Sequence, residues 1–309
     1  MTNPSAIPEL ARHLATIVRQ AMDEIRPRLI QAALTGDRGE SENLRHRDNF
    51  LSDYDLWMHQ RYKQLLRPHL PSFVYASEEA DPEVIGDEPD PELCVLVDPL
   101  DTSELAVRGL YGYTHVLVYS RRQARPIAAA VGDIFHHFQL YLAAQDHTGT
   151  DRAFLITRDG HEHLLDRPSQ ARLSEALVTN YLMRPEQRFK PLTNQQPFLA
   201  ALATESADGR ARGRIGVDFG SVGLCHVAAG FTDAMIEFAK GFAIWDLSPG
   251  HFILHAAGGI VTDLQGTPLT LNYDLTSMTN IREAMGHRRR FIAAGNTHLA
   301  KEIQRSLRH

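Results

Sequence analysis

The sequence predicts a mixed α/β protein, α+β in detail, built as two packed halves with no long linker between them. Three observations lead there. Apolar residues near the N-terminus recur at helical spacing, several short apolar runs are bounded by turn residues, and a second helix-and-strand pattern begins at about residue 150. The halves are therefore drawn as 1–150 and 151–309.

Leu10, Leu14, Ile17, Val18, Met22 and Ile25 fall three or four apart, which places them on one face of an amphipathic helix. Gly36 to Arg47 is polar and reads as a loop. Asp53 to Leu66 is helical and stops before Pro68. FVYAS (73–77) and LCVLV (93–97) read as buried strands, and the acidic, proline-rich EEADPEVIGDEPDPE between them as a surface loop. THVLVYS (114–120), PIAAAVGDIF (126–135) and QLYLAA (139–144) continue the strands.

In the second half ALVTN (176–180) is a strand and Gln195 to Glu205 a helix, followed by GRIGVDFG (213–220). GSVGLCHVAAG is a helix, DAMIEF a strand, and WDLSPGHFILHAAGG a helix closed by glycine. A final helix covers about Thr297 to Leu307.

Of the 309 residues 43% are apolar and 23% charged, an ordinary globular composition. The net charge of −6 argues against a basic face for duplex nucleic acid. It leaves room for a small anionic substrate, because metal ions can supply positive charge. Cys94 and Cys225 sit among apolar residues and read as core, without disulfide or zinc spacing. The N-terminus lacks a basic segment followed by an apolar run and a cleavage site, and no stretch reaches the ~18 apolar residues of a membrane span. A cytoplasmic protein with no membrane partner is expected.

The chemistry concentrates in carboxylates: Asp55 in SDYD, Glu78-Glu79 in ASEEA, Asp98-Pro-Leu-Asp101, Glu237 in MIEF, and Trp245-Asp246. Glu78 and Asp98 each follow a short apolar run, so they sit where a buried strand ends, at a sheet edge that commonly binds ligands. Clustered carboxylates repel one another unless a hard divalent cation is present. Asp98 and Asp101, three apart around a proline, can face one ion if the proline holds a turn.

In order, these segments resemble the inositol monophosphatase superfamily: a distant Asp, then Glu-Glu, then Asp-Pro-(Ile or Leu)-Asp-Gly-Thr, then Trp-Asp-x-x-x-Gly. Here they read Asp55, Glu78-Glu79, D98-P-L-D-T-S103 and W245-D-L-S-P-G250. DTSELAVRGL is similar to the family's DGTTNFVRGLP, and RDNFLSDYD to its Lys-x-Asp-x-x-Thr-x-x-Asp, with Arg47 in place of lysine. The likeness runs over about residues 10 to 305.

The resemblance implies a layered α/β/α/β/α sandwich and Mg2+-dependent hydrolysis of a small phosphomonoester by water that two or three ions activate. It implies metal ligation by Glu78, Asp98, the Leu100 carbonyl, Asp101 and Asp246. Catalytic roles would fall to Glu78, Asp55 and Ser103, the hydroxyl that Asp55 holds. Asp101, Thr102, Ser103, Gly220, Ser221, Val222, Glu237 and Asp246 would contact substrate. A homodimer is also implied.

Departures from the family pattern bear on specificity. Thr102 replaces a glycine, Leu105-Ala106 an Asn-Phe, and Ser248-Pro249 small alanines. Pro249 is read as lying in the first turn after Asp246. An inositol, sugar or polyol phosphate is the leading substrate class, ahead of a nucleotide-derived phosphate. The contrasting reading is a catalytically altered member that binds a phosphorylated ligand or partner.

Overall fold

The computed structural model describes residues 7–43, 49–136, 138–166, 168–205, 208–210 and 212–308. The chain forms two compact units, Met1–Leu164 with Leu271–Gly286, and Leu165–Thr270 with His287–His309.

In the first unit, helix α1 spans Glu9–Thr35 and buries Leu14, Ile17, Val18, Met22 and Ile25, then Leu29 and Ala32. The apolar spacing thus runs past Pro27, and burial on both sides of it outweighs one missing backbone hydrogen bond. The helix ends at Gly36, whose φ of 76° lets its N–H close on the Ala32 carbonyl. Helix α2 spans Asp53–Leu66, and Ser52 and Asp55 form a capping box at its start.

The strands that follow are β1 (Phe73–Ser77), β2 (Ala80–Ile85), β3 (Leu93–Asp101), β4 (Tyr113–Ser120), β5 (Arg125–Asp133), β6 (Phe138–Gln145), β7 (Asp151–Thr157) and β8 (Glu162–Leu165). Among the described residues they form one sheet in the order β8-β7-β6-β5-β4-β3-β1-β2. Two expectations change here. The acidic segment read wholly as a loop contains β2, an edge strand antiparallel to β1 that shows its acidic side chains to solvent. The boundary expected at 150 falls instead at Leu164/Leu165, because β7 continues the hairpin ladder on β6.

Alternation along the strands divides the sheet's faces. Val95 and Val97, Val116 and Val118, Ala128 and Ala130, and Leu140 and Leu142 join one core with α1 and α2. The intervening Leu96, Asp98, His115, Leu117 and Val131 are buried on the opposite face. A short helix α3, Ser103–Ala106, follows β3 directly.

The second unit carries β9 (Leu177–Asn180), β10 (Arg214–Val217), β11 (Ala234–Ala243), β12 (Ile260–Thr262) and β13 (Arg288–Ala294) in the order β10-β9-β11-β13-β12. β9 is parallel to β10 and β11, and β13 is antiparallel to β11 and β12. Its principal helices are α4 (Gln196–Leu202), α5 (Gly220–Ala228), α6 (Ile244–Ala256) and α7 (Thr297–Ser306). Pro249 follows Asp246 by three residues as expected, but α6 begins at Ile244, which puts the proline at the sixth position, past the turn whose N–H groups need no helical partner. It therefore cannot donate to the Trp245 carbonyl, while Ser248 Oγ bonds back to Ile244 at 2.7 Å.

Candidate metal centre

Asp98 does not end its strand, and no turn brings it near Asp101. β3 runs through both residues with a register shift between them: Asp98 pairs with His115 and Asp101 with Tyr113. Three steps on β3 thus oppose two on β4, so β3 holds one extra residue. In a regular strand, side chains three apart point to opposite faces. The extra residue turns Asp101 back onto the face of Asp98. Pro99 suits the irregularity because it has no N–H to lose from the ladder. Leu100, whose carbonyl is an expected ligand, lies inside the bulge and is buried.

His115, which the sequence reading passed over, stands directly across from Asp98. Its Nδ1 is 3.8 Å from Asp98 Oδ2, and its Nε2 is 3.3 Å from Asp101 Oδ2. The imidazole is fully buried, the Asp98 side chain is 1% exposed and the Asp101 side chain 12%. Two carboxylates this deep in low dielectric call for a cation, and a dication fits the donor set.

Glu78 leaves the end of β1, which runs parallel to β3 with Ser77 beside Val97. Its N–H bonds to the Val97 carbonyl at 3.3 Å, so Glu78 and Asp98 follow matched positions on neighbouring strands. Asn49 Nδ2 approaches Glu78 Oε1 at 3.4 Å. Arg47 lies outside the described residues.

Asp55 Oδ2 accepts from the Ser52 N–H at 2.7 Å and from Ser52 Oγ at 2.6 Å, which closes the capping box. The nearby Ser103 hydroxyl is a further influence that favours the charged carboxylate. Burial is the dominant influence and lifts its pKa to about 6 against these hydrogen bonds. Between Asp101 and Ser103, Thr102 holds φ 61° and ψ 36°, the left-handed region that glycine enters freely. Its Oγ1 donates to the Asp101 carbonyl at 2.6 Å.

In the second unit, Gly220, Ser221 and Val222 form the first turn of α5, and all three are buried. The Ser221 hydroxyl is committed inside the protein: it donates to the Asp246 carbonyl at 2.7 Å and accepts from the Gly250 N–H at 3.0 Å. Asp246 occupies the first turn of α6, where the helix dipole favours a negative charge. Glu237, expected at substrate hydroxyls, is 1% exposed and fully used by its surroundings. Its Oε1 accepts from the N–H groups of Ala239, Lys240 and Gly241 at 3.0, 3.0 and 3.2 Å. Its Oε2 pairs with Arg188. Arg188 in turn lies 4.1 Å over the Tyr181 ring, and burial draws its pKa down to about 10.

The sequence profile described as "Inositol monophosphatase family" matches residues 6–306. The chain belongs to the inositol monophosphatase family. It is 25% identical over 283 residues to the inositol-1-monophosphatase of Rhizobium meliloti, covering 88% of this chain and 89% of that one. A local match to inositol-1-monophosphatase ImpA of Mycolicibacterium smegmatis reaches 42% identity over 74 residues, and spans about a quarter of that relative's length, 24%.

The fold matches that of the extragenic suppressor protein SuhB from Bartonella henselae, with TM-score 0.64, 20% identity and coverage of 95% of this chain and 98% of that one. Membership of the inositol monophosphatase family supports phosphomonoesterase activity in general. Within that family pattern, the left-handed backbone of Thr102 supplies the reason for a glycine at its position. No helix among the described residues is long and apolar enough to cross a membrane.

Proposed function

We propose that this protein hydrolyses a small phosphomonoester, an inositol phosphate or a sugar or polyol phosphate, with the help of Mg2+ or a related dication. The observation that carries the reading is the bulge in β3, which turns Asp98 and Asp101 to one buried face and leads straight into Ser103, close to Asp55. Glu78, Asp98, Asp101 and the Leu100 carbonyl would hold the cations, and Asp246 joins them on the strength of its Trp-Asp-x-x-x-Gly motif.

Bound dications would neutralise phosphate charge and acidify a water nucleophile. The chain's own groups then act by position. The Ser103 hydroxyl would donate a hydrogen bond to Asp55, which leaves its oxygen lone pairs to accept from a water and aim it at phosphorus. The N–H groups of the first turn of α5 suit an anionic or hydroxyl-rich substrate. A member that only binds was suggested by Thr102. Its φ of 61° keeps the backbone that glycine would adopt, which favours the catalytic reading.

Phosphate release from a panel of inositol, sugar and nucleotide monoesters, with and without chelator, tests the proposal. Release should require a dication and vanish in Asp98→Asn. Undiminished release in excess chelator, or no release from any monoester at full metal occupancy, would overturn it.

A further inference from the structure

We propose that the cation shared by Asp98 and Asp101 takes a nitrogen ligand from His115, and that this position therefore selects a transition-metal dication of the Mn2+ or Zn2+ class over Mg2+. The inference rests on the dication-assisted reading above and narrows it.

The sheet aims the imidazole there. His115 is the register partner of Asp98, and strand alternation sends its ring to the Asp98 face while Thr114 and Val116 turn toward the helices. On the helical side, the Tyr62 hydroxyl meets Thr114 Oγ1 at 2.6 Å, which pins β4 against α2 in this orientation. Full burial prevents the ring from swinging out to solvent.

The spacing fits shared ligation. With metal–ligand bonds of about 2.1 Å, two ligands on one ion sit roughly 3.0 Å apart when cis in an octahedron and roughly 3.4 Å apart in a tetrahedron. His115 Nε2 and Asp101 Oδ2 are 3.3 Å apart. One ligand atom from each of Asp98, Asp101 and His115 lies within 4.8 Å of the others.

Donor chemistry then sets the preference. Mg2+ takes oxygen ligands and gives up its waters reluctantly, whereas first-row transition dications, Zn2+ strongly and Mn2+ more weakly, accept an imidazole nitrogen. A site of carboxylates alone would carry no such bias. One that adds an imidazole at ligand distance does.

The test uses full-length protein stripped with chelator and reloaded with Mn2+, without substrate. Electron spin echo spectroscopy should show a 14N coupling from a directly bound imidazole, and that coupling should disappear in His115→Val. Competition titration should show that the Mn2+-over-Mg2+ affinity ratio falls about tenfold or more in the variant, through loss of Mn2+ affinity. Valine suits β4, which already holds Val116 and Val118; should His115→Val not fold, the wild-type nitrogen signal decides alone.

Mn2+ bound with oxygen ligands only, an Mn2+/Mg2+ ratio equal in the two proteins, or no Mn2+ binding would each overturn the proposal. The first of these is the result if His115 serves only as an ion-pair partner of Asp101. A nitrogen-bound ion without phosphate release would instead defeat the phosphatase reading and leave this one standing.

Discussion

The Ser221 hydroxyl donates to the Asp246 carbonyl at 2.7 Å, and so ties the first turn of α5 to the aspartate of the Trp-Asp motif. The same oxygen accepts from the Gly250 N–H at 3.0 Å, the glycine that closes the motif. A Cβ at Gly250 would meet the Ser221 carbonyl at 2.4 Å, so the two helices touch backbone to backbone there. The motif's spacing is thus a packing requirement as well as a chemical one.

Ser221→Ala should destabilise the protein by about 1–3 kcal/mol, because it leaves a partly buried carbonyl and a buried N–H without this hydroxyl. Gly250→Ala should cost a similar ~1–3 kcal/mol by forcing α5 and α6 apart. Denaturant unfolding measures both. Wild-type midpoints for the two variants would contradict the contact.

Thr102→Gly should keep stability within about 1 kcal/mol. Relief of the left-handed strain, about 1–2 kcal/mol, is offset by glycine's freedom in the unfolded chain and by the lost bond to the Asp101 carbonyl. Thr102→Val keeps the strain and loses the bond, so it should be the less stable of the two. A reversed order in thermal melts would count against the backbone account.

Ser103→Ala should lower turnover by ~10²-fold or more while KM changes little, since an aligning hydroxyl acts mainly in the transition state. Ser103→Thr keeps the hydroxyl and should retain activity. Steady-state kinetics on the best monoester from the panel separate the two effects. A rise in KM alone would make Ser103 a binding group.

Two buried histidines predict an acid-sensitive fold. Burial depresses His59 to about 4 and His251 to about 3, below the ordinary 6.5. Both are neutral when folded and gain protons on unfolding. Their stabilisation is present above pH 6.5 and is lost as pH falls through about 4 for His59 and about 3 for His251. In the middle of that window the two together contribute a slope of about 2.7 kcal/mol per pH unit. Urea unfolding between pH 5 and 8 should show it, and His251→Leu should remove about one proton from the slope. An unchanged slope would mean that His251 is protonated in the folded protein.

Much of this protein was legible along the chain because it is written in local patterns. Helical spacing marked α1, and Pro68 marked the end of the helix from Asp53 to Leu66. Apolar runs marked β1, β4 and β6, and the order of acidic motifs pointed to the family. β2 was hidden because an edge strand earns its structure by pairing with a neighbour, and its own acidic composition resembles a loop.

The site needed the third dimension more than the fold did. Every residue of Tyr113–Ser120 is buried, so alternation could not show which way His115 faces. Its place opposite Asp98 follows from a register set across 17 positions of chain, and the alignment of Asp98 with Asp101 from one extra residue that only pairing with β4 reveals. Glu237 is the converse case. The family resemblance gave it a substrate role, but Arg188, some fifty residues earlier, takes its charge. Helix periodicity, apolar runs and the order of the acidic motifs can be read along the chain, because propensity and motif spacing are local. The tertiary structure alone decided which side chains share a face and which carboxylates are already engaged, because register and burial arise between segments that the chain keeps far apart.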